Sequence, residues 1–328
     1  MNPATPSLVS VALATFNGER YLSEMLDSLE SQTYGNIEIV VSDDGSSDTT
    51  TRLLQERNWR IPTHMLLTGK RLGVIGNFER AIRASSGEYV AFADQDDWWM
   101  LDKISAMASL MQALESRHGK DTPILVFTDI EVVDARLGLI ASSFFKSTGK
   151  STRCGRLADF FIANHIPGCS MLVNRALIDK ALPVPANFRM HDWWFVMVAA
   201  AFGVIDYLDR PLLKYRQHGS NTFGVRPHRK PLIQRLGKLF SGPAWRKFFV
   251  PPADRIKWIK RNIELFEARY RTTLPPAAST DLMLLRSCSR SWINCLKLLA
   301  AARTGESTLL SLFTLRLVAN YSIDERRV

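Results

Sequence analysis

Between Leu8 and Phe92, short apolar runs alternate with stretches whose apolar residues recur at helical spacing. Val9-Ser10-Val11-Ala12-Leu13, Ile37-Glu38-Ile39-Val40-Val41, His64-Met65-Leu66-Leu67 and Tyr89-Val90-Ala91-Phe92 read as strands. Tyr21 to Ser31, Asp48 to Arg57 and Asn77 to Ala84 read as the helices between them. Within the first of these helices Leu22, Met25, Leu26 and Leu29 form a stripe that belongs against a core. Strand and helix in strict alternation imply βαβ units, because parallel strands need crossover connections. The predicted fold is therefore α/β, a mostly parallel sheet flanked by helices.

Further along, Leu101 to Leu114 predicts a helix, and Ile124 to Phe127 predicts a strand ending at Thr128-Asp129. Ser142 to Arg153, rich in Ser, Lys and Gly, is expected to be a mobile loop near which an acceptor enters. A strand at Ser170 to Val173, a helix at Asp192 to Phe202, and two short strands at Val204 to Leu208 and Leu212 to Gln217 follow. The sheet domain is expected to close near Gly224, giving a domain of residues 1–224 and a basic helical region of residues 225–328. In the latter, cations interleave with Trp245, Phe248, Phe249, Trp258 and Ile259 between Pro243, Pro251 and Pro252. That is the pattern of short amphipathic helices, with further helices expected over Asp281 to Ala301 and Ser307 to Tyr321.

Charge sharpens this boundary. Residues 225–328 hold 20 Lys/Arg against 7 Asp/Glu, whereas residues 1–224 hold 22 against 25. A basic, aromatic-bearing region suits an anionic membrane surface, and a solvated basic face is the plain alternative. Nucleic acid is not the expected partner. Cys154, Cys169, Cys288 and Cys295 show neither C-x-x-C spacing nor the density of a disulfide framework, so reduced thiols and the cytoplasm are expected. Met1 to Ser10 lacks the basic-then-apolar pattern of a leader, and the longest apolar run, Trp193 to Ile205, is too short to span a bilayer. The expected location is cytoplasmic, with peripheral attachment to the inner face of the cytoplasmic membrane.

The densest chemistry lies in Asp94-Gln95-Asp96-Asp97, directly after the apolar run Tyr89 to Phe92. Neighbouring carboxylates repel one another, and a divalent cation is the simplest compensation. The competing reading is a solvated loop in which Asp97 or Asp102 caps the next helix. Three other strand ends carry polar motifs: Thr15-Phe16-Asn17-Gly18-Glu19, Asp43-Asp44-Gly45-Ser46-Ser47-Asp48, and Gly73-Val74-Ile75-Gly76-Asn77 leading into a helix. Each alone is compatible with turn and capping chemistry. A parallel sheet gathers all four loops at its carboxyl edge, where open α/β sheets bind ligands. No G-x-G-x-x-G follows the first strand, which argues against a dinucleotide dehydrogenase.

Together these residues resemble family 2 glycosyltransferases of the GT-A fold, over about Ser7 to Gly224. Ala93 to Trp98, His191-Asp192-Trp193-Trp194 and Tyr215-Arg216-Gln217-His218-Gly219-Ser220-Asn221 look most like rhamnosyltransferases that build bacterial surface polysaccharides. The resemblance implies that Thr15, Asn17 and Glu19 line a nucleotide pocket, with Asn77 at the phosphate-facing helix start and Asp44 accepting a hydrogen bond from the base. It implies that Asp94 approaches the ribose or sugar and that Asp96 binds a divalent metal, Mg or Mn, with His218 as a candidate second metal or diphosphate contact. Asp192 matches the acidic residue serving as catalytic base. The implied reaction is inverting transfer of one sugar, L-rhamnose from dTDP-rhamnose, to a saccharide or lipid-linked saccharide acceptor. The absence of Q-x-x-R-W separates the chain from processive synthases. A nucleotidyltransferase acting on sugar phosphates and a non-catalytic carbohydrate-binding protein are the alternatives. Trp98, Trp193 and Trp194 are read as core before sugar platforms.

Overall fold

A computed structural model describes residues 6–67, 69–152, 156–218 and 253–287. Their contacts divide the chain into two units. The first comprises the described residues of 1–148, 166–199 and 203–226; the second comprises those of 149–165, 200–202 and 227–328.

In the first unit the apolar runs become strands: β1 (Val9–Thr15), β2 (Ile37–Asp43), β3 (Thr63–Leu67) and β4 (Tyr89–Asp94). Between them lie α1 (Leu22–Glu30), α2 (Thr50–Glu56) and α3 (Gly73–Ala84). Every residue of β1 is buried, and the predicted stripe of α1 at Leu22, Met25, Leu26 and Leu29 is closed off from solvent. These four strands pair in parallel, with Thr15 opposite Asp43 and Ala14 opposite both Ser42 and Asp94. That register puts the polar ends of β1, β2 and β4 at one level.

The second half of the sheet departs from the parallel expectation. It contains β5 (Trp98–Trp99), α4 (Lys103–His118), β6 (Ile124–Val133), β7 (Leu139–Ala141), α5 (Phe144–Thr148), β8 (Met171–Asn174), α7 (Arg175–Ala181), α8 (His191–Phe202) and β9 (Val204–Arg216), while α6 (Leu157–Ile162) falls in the second unit. Among the described residues one sheet runs in the order β3-β2-β1-β4-β8-β6-β9-β5, with β7 beside β6. Strand β8 is antiparallel to both β4 and β6, and β5 is antiparallel to β9. The two short strands expected on either side of Asp209-Arg210-Pro211 are one strand, whose register against β6 shifts between Thr128 and Glu131. A local irregularity accommodates Pro211, which has no N–H to give to a ladder. Part of the loop expected at Ser142 to Arg153 is helical, because Phe144 and Phe145 are buried and pull that stretch inward as α5.

The second unit is helical among its described residues, with α9 (Ala253–Tyr270) and α10 (Pro276–Ser287) beside α6. Phe161 meets Phe266 edge-on at 5.5 Å, and Arg156 pairs with Asp281. The expected amphipathic helices of residues 225–252 and the helix of Ser307 to Tyr321 lie outside the described residues, as does most of the helix expected from Asp281 onward. Among the described residues no helix is long and apolar enough to cross a membrane.

Candidate active site

Loops at the carboxyl ends of β1, β2 and β4 are tied to one another by their own polar groups. Thr15 donates to Asp43 at 2.8 Å, and the Gln95 amide makes a two-way bond with the Phe16 backbone at 2.8 and 2.9 Å. A Cβ on Gly18 would stand 2.3 Å from Gln95 Oε1, so a side chain there would displace the Gln95 amide from the Phe16 backbone. Asn17, at φ +48°, accepts the Ser47 amide at 2.8 Å, and Glu19 accepts the Thr49 amide and hydroxyl at 3.0 and 2.7 Å. Asp44 accepts the amides of Leu72 and Gly73, which start α3, while Arg71 stacks over Phe16 at 4.0 Å. Of the expected nucleotide-pocket residues Asn17 and Glu19 are exposed at this edge, whereas Thr15 and Asp44 are buried beneath it, and their acceptors hold the loops in shape.

Asn77 occupies a deeper position. It lies in the second turn of α3, which starts at Gly73 rather than at Asn77, and it is buried. Its amide accepts from Ser42 and Arg80 and donates to the Thr15 carbonyl at 3.1 Å, bracing β1 against β2.

Beyond the end of β4 the acidic run separates by depth. Asp96 keeps part of its surface open, and its Oδ2 lies 2.8 Å from His218 Nε2, across 122 residues of sequence. Two donor atoms on one small divalent cation stand about 3 Å apart, so this carboxylate and imidazole are spaced to share one. Asp97 is fully buried, accepts the Arg216 amide at 3.3 Å through Oδ1, and has the Cys169 thiol as a hydrogen-bonding neighbour. Burial, with the charges of Asp96 and Asp94, pushes its carboxyl well above the ordinary range. Asp94 is pushed up to about 7, first by desolvation although the residue keeps some open surface, then by the negative charges of Asp96 and Asp192. Those three carboxylates therefore act on one locality.

Asp192 sits in the first turn of α8, where the exposed N–H groups of the helix start favour negative charge. Its Oδ1 accepts the Trp193 amide at 2.6 Å. Gly168 packs so closely that a Cβ there would meet Asp192 Cβ at 3.1 Å. The preceding His191 is buried, stacked on Phe78 at 3.9 Å, and its two ring nitrogens have no hydrogen-bond partner. Burial lowers its pKa to about 3, which keeps the ring neutral.

Two groups without a functional role in the sequence reading lie beside Asp97 and Asp94. Lys103 is fully buried, donates to the Cys169 carbonyl at 2.6 Å and lies 3.4 Å over the Trp99 ring. Desolvation lowers it to about 7 despite the neighbouring Asp97 and Asp94. Cys169 is buried with its thiol pushed well up, first by burial and then by Asp97 and Asp94. Asp94, Asp97 and Cys169 offer ligand atoms within 4.8 Å of one another. A thiol held in its protonated form beside an ammonium group suits a hard cation less well than the oxygen and imidazole of Asp96 and His218. The sequence signal for Lys103 was present but unread: it falls on the face of α4 that carries Ile104, Met107 and Met111, all buried. Trp193 and Trp194 are core residues, the latter donating to the Ala181 carbonyl at 2.8 Å, and Trp98 is half-buried on β5.

A family model described as glycosyl transferase family 2 matches residues 10–179, slightly more than half of the chain. The chain belongs to glycosyl transferase family 2. Among curated family 2 relatives, it is 28% identical over 239 residues to the dTDP-rhamnosyl transferase RfbG of Shigella flexneri, covering 69% of this chain and 78% of that one. A shorter match, 37% identical over 106 residues, is to a UDP-Glc:alpha-D-GlcNAc-diphosphoundecaprenol beta-1,3-glucosyltransferase, WfgD, of Escherichia coli, and covers 32% of this chain and 41% of that one. The crystal structure of S. aureus TarS 1-349 in complex with UDP-GlcNAc superposes with a TM-score of 0.52 at 18% identity, covering 97% of this chain and 92% of that one. The family 2 fold is thus the GT-A arrangement expected from the strand-end motifs.

Proposed function

We propose that this glycosyltransferase performs metal-dependent, inverting transfer of a single sugar, L-rhamnose from dTDP-rhamnose, onto a saccharide or lipid-linked saccharide acceptor in surface polysaccharide synthesis. The observation that carries the reading is the Asp96 carboxylate 2.8 Å from the His218 imidazole in a family 2 chain, and the upward push of Asp96 and Asp192 on the Asp94 carboxyl supports it. The likeness to a dTDP-rhamnosyl transferase supports the donor, and the partial likeness to a diphosphoundecaprenol-directed enzyme supports a lipid-linked acceptor.

In this reading Thr15, Asn17, Glu19 and Asp44 line the nucleotide pocket, with Asn77 bracing the strand ends beneath it. Asp94 accepts from a ribose or sugar hydroxyl. Asp96 and His218 hold a divalent cation, Mg or Mn. When bound, that cation supplies Lewis-acid stabilisation of the departing diphosphate. Asp192 takes the acceptor hydroxyl proton as the acceptor oxygen bonds to the anomeric carbon. The bond from that carbon to the diphosphate oxygen breaks, its electron pair leaving with the nucleotide, and a single displacement inverts the centre.

The test is a donor panel in which nucleotide diphosphate release is followed with dTDP-rhamnose, UDP-glucose and UDP-GlcNAc, with and without manganese and acceptor. Metal-dependent turnover confined to dTDP-rhamnose is expected. Preference for a UDP-sugar would replace the donor, and no turnover with any donor under any condition would refute the catalytic reading. The basic region is proposed to hold the enzyme at the inner membrane face. Equal failure to sediment with anionic and neutral liposomes at low salt would remove that part.

A further inference from the structure

We propose that Arg216 is the positioning residue that sets the Asp96 carboxylate and the His218 imidazole at cation-binding separation, an inference that rests on reading that pair as the cation site. Arg216 ends β9, two residues before His218, and its side chain is 1% exposed. Its guanidinium reaches three segments that are far apart in sequence. Nε donates to the Asp96 carbonyl at 2.8 Å, Nη1 to the Ala135 carbonyl at 2.9 Å and Nη2 to Glu24 at 2.7 Å. The Arg216 amide donates to Asp97 Oδ1, so the same residue grips the acidic turn at two consecutive positions.

One face of the guanidinium lies 4.5 Å from the Tyr21 ring, and that ring in turn lies 4.8 Å from the His218 ring. The carboxylate and the imidazole are therefore located from a common anchor, one through its own carbonyl and the other through chain connection and Tyr21. A planar fork with five donors can span such divergent acceptors, whereas a lysine ammonium is a point charge on a flexible stem. Burial strengthens the constraint, because a guanidinium that lost its partners here would be a costly unpaired charge.

The experiment titrates manganese into the whole chain without nucleotide sugar, following free Mn2+ by electron paramagnetic resonance. Asp96→Ala, Arg216→Lys, Arg216→Gln and Glu24→Ala are compared with wild type, with thermal unfolding as the check on folding. Arg216→Lys is expected to raise the manganese dissociation constant roughly 10- to 100-fold, as for other residues that orient metal ligands. Retained charge does not rescue a lost fork, so Lys and Gln should be similarly impaired. Thymidine diphosphate binding without metal should be unchanged, a result that general loosening of the site would not give. Glu24 is 53% exposed, so Glu24→Ala leaves the core intact while freeing one arm, and a smaller weakening is expected. If the Arg216 variants do not fold, that variant decides, and wild-type affinity in it overturns the inference. Should wild type bind manganese no better than Asp96→Ala, the cation reading itself fails and takes the inference with it. If wild type binds more tightly and Arg216→Lys equals it, the inference alone is overturned.

Discussion

In the proposed mechanism Asp192 and Asp96 put the same ionised group to different uses, one offering a lone pair to a proton and the other a negative charge to a cation. Asp192→Asn preserves shape and removes the basic oxygen. Transfer should fall roughly 100- to 10,000-fold with donor affinity unchanged, read from single-turnover rates beside nucleotide-sugar titration. Normal turnover in that variant would dismiss the base assignment. At this scale the sequence showed which residue types were available, since the Asp94 to Asp97 run and Asp192 are visible without coordinates. It did not show their depth. Asp96 and Asp97 are adjacent, yet one meets His218 and the other is sealed beneath with Cys169 and Lys103 around it. Arg216 stood inside a quoted motif without a role because its partners at residues 24, 96 and 135 are remote in the chain.

Among the elements, helices and strands with clear period were legible, and their directions were not. The short apolar run at Ser170 to Val173 predicts a strand but contains nothing that says which way it runs beside β4. The joint is held by Asn174, buried at the end of β8, whose Oδ1 accepts the amides of Ile124 and Leu177 and whose Nδ2 donates to Glu115 and Thr122. It caps α7 and ties β8 to β6 in one side chain. Asn174→Ala should lower unfolding free energy by about 3 kcal/mol, combining a lost cap with buried groups left unpaired. Urea titration at unchanged m-value checks this, and a loss under about 1 kcal/mol would mean that water replaces the amide. Short helices α6 and α7 escaped the sequence reading because a turn or two of helix shows too little periodicity.

For the whole molecule, buried ionisable groups make stability depend on pH. His191 falls from 6.5 to about 3, so the unfolded chain binds its proton first; the stabilisation is complete above about pH 6.5 and is lost as pH drops toward 3. Asp94, raised to about 7, works in the opposite direction across an overlapping range. The informative quantity is therefore the difference between wild type and His191→Phe. The variant should lose an acid slope of at most about 1.4 kcal/mol per pH unit between pH 6 and 4, measured by denaturant unfolding at each pH. Parallel curves would show that the histidine charges without cost. Local order in the chain determined the α/β alternation, the strand-end motifs and the family, since periodicity and turn chemistry act over a few residues. The packed structure alone decided strand direction beyond β4, the meeting of residues 96 and 218, and the burial that shifts Asp94, Lys103 and His191. Those properties arise from desolvation and from distances between groups that the chain itself keeps far apart.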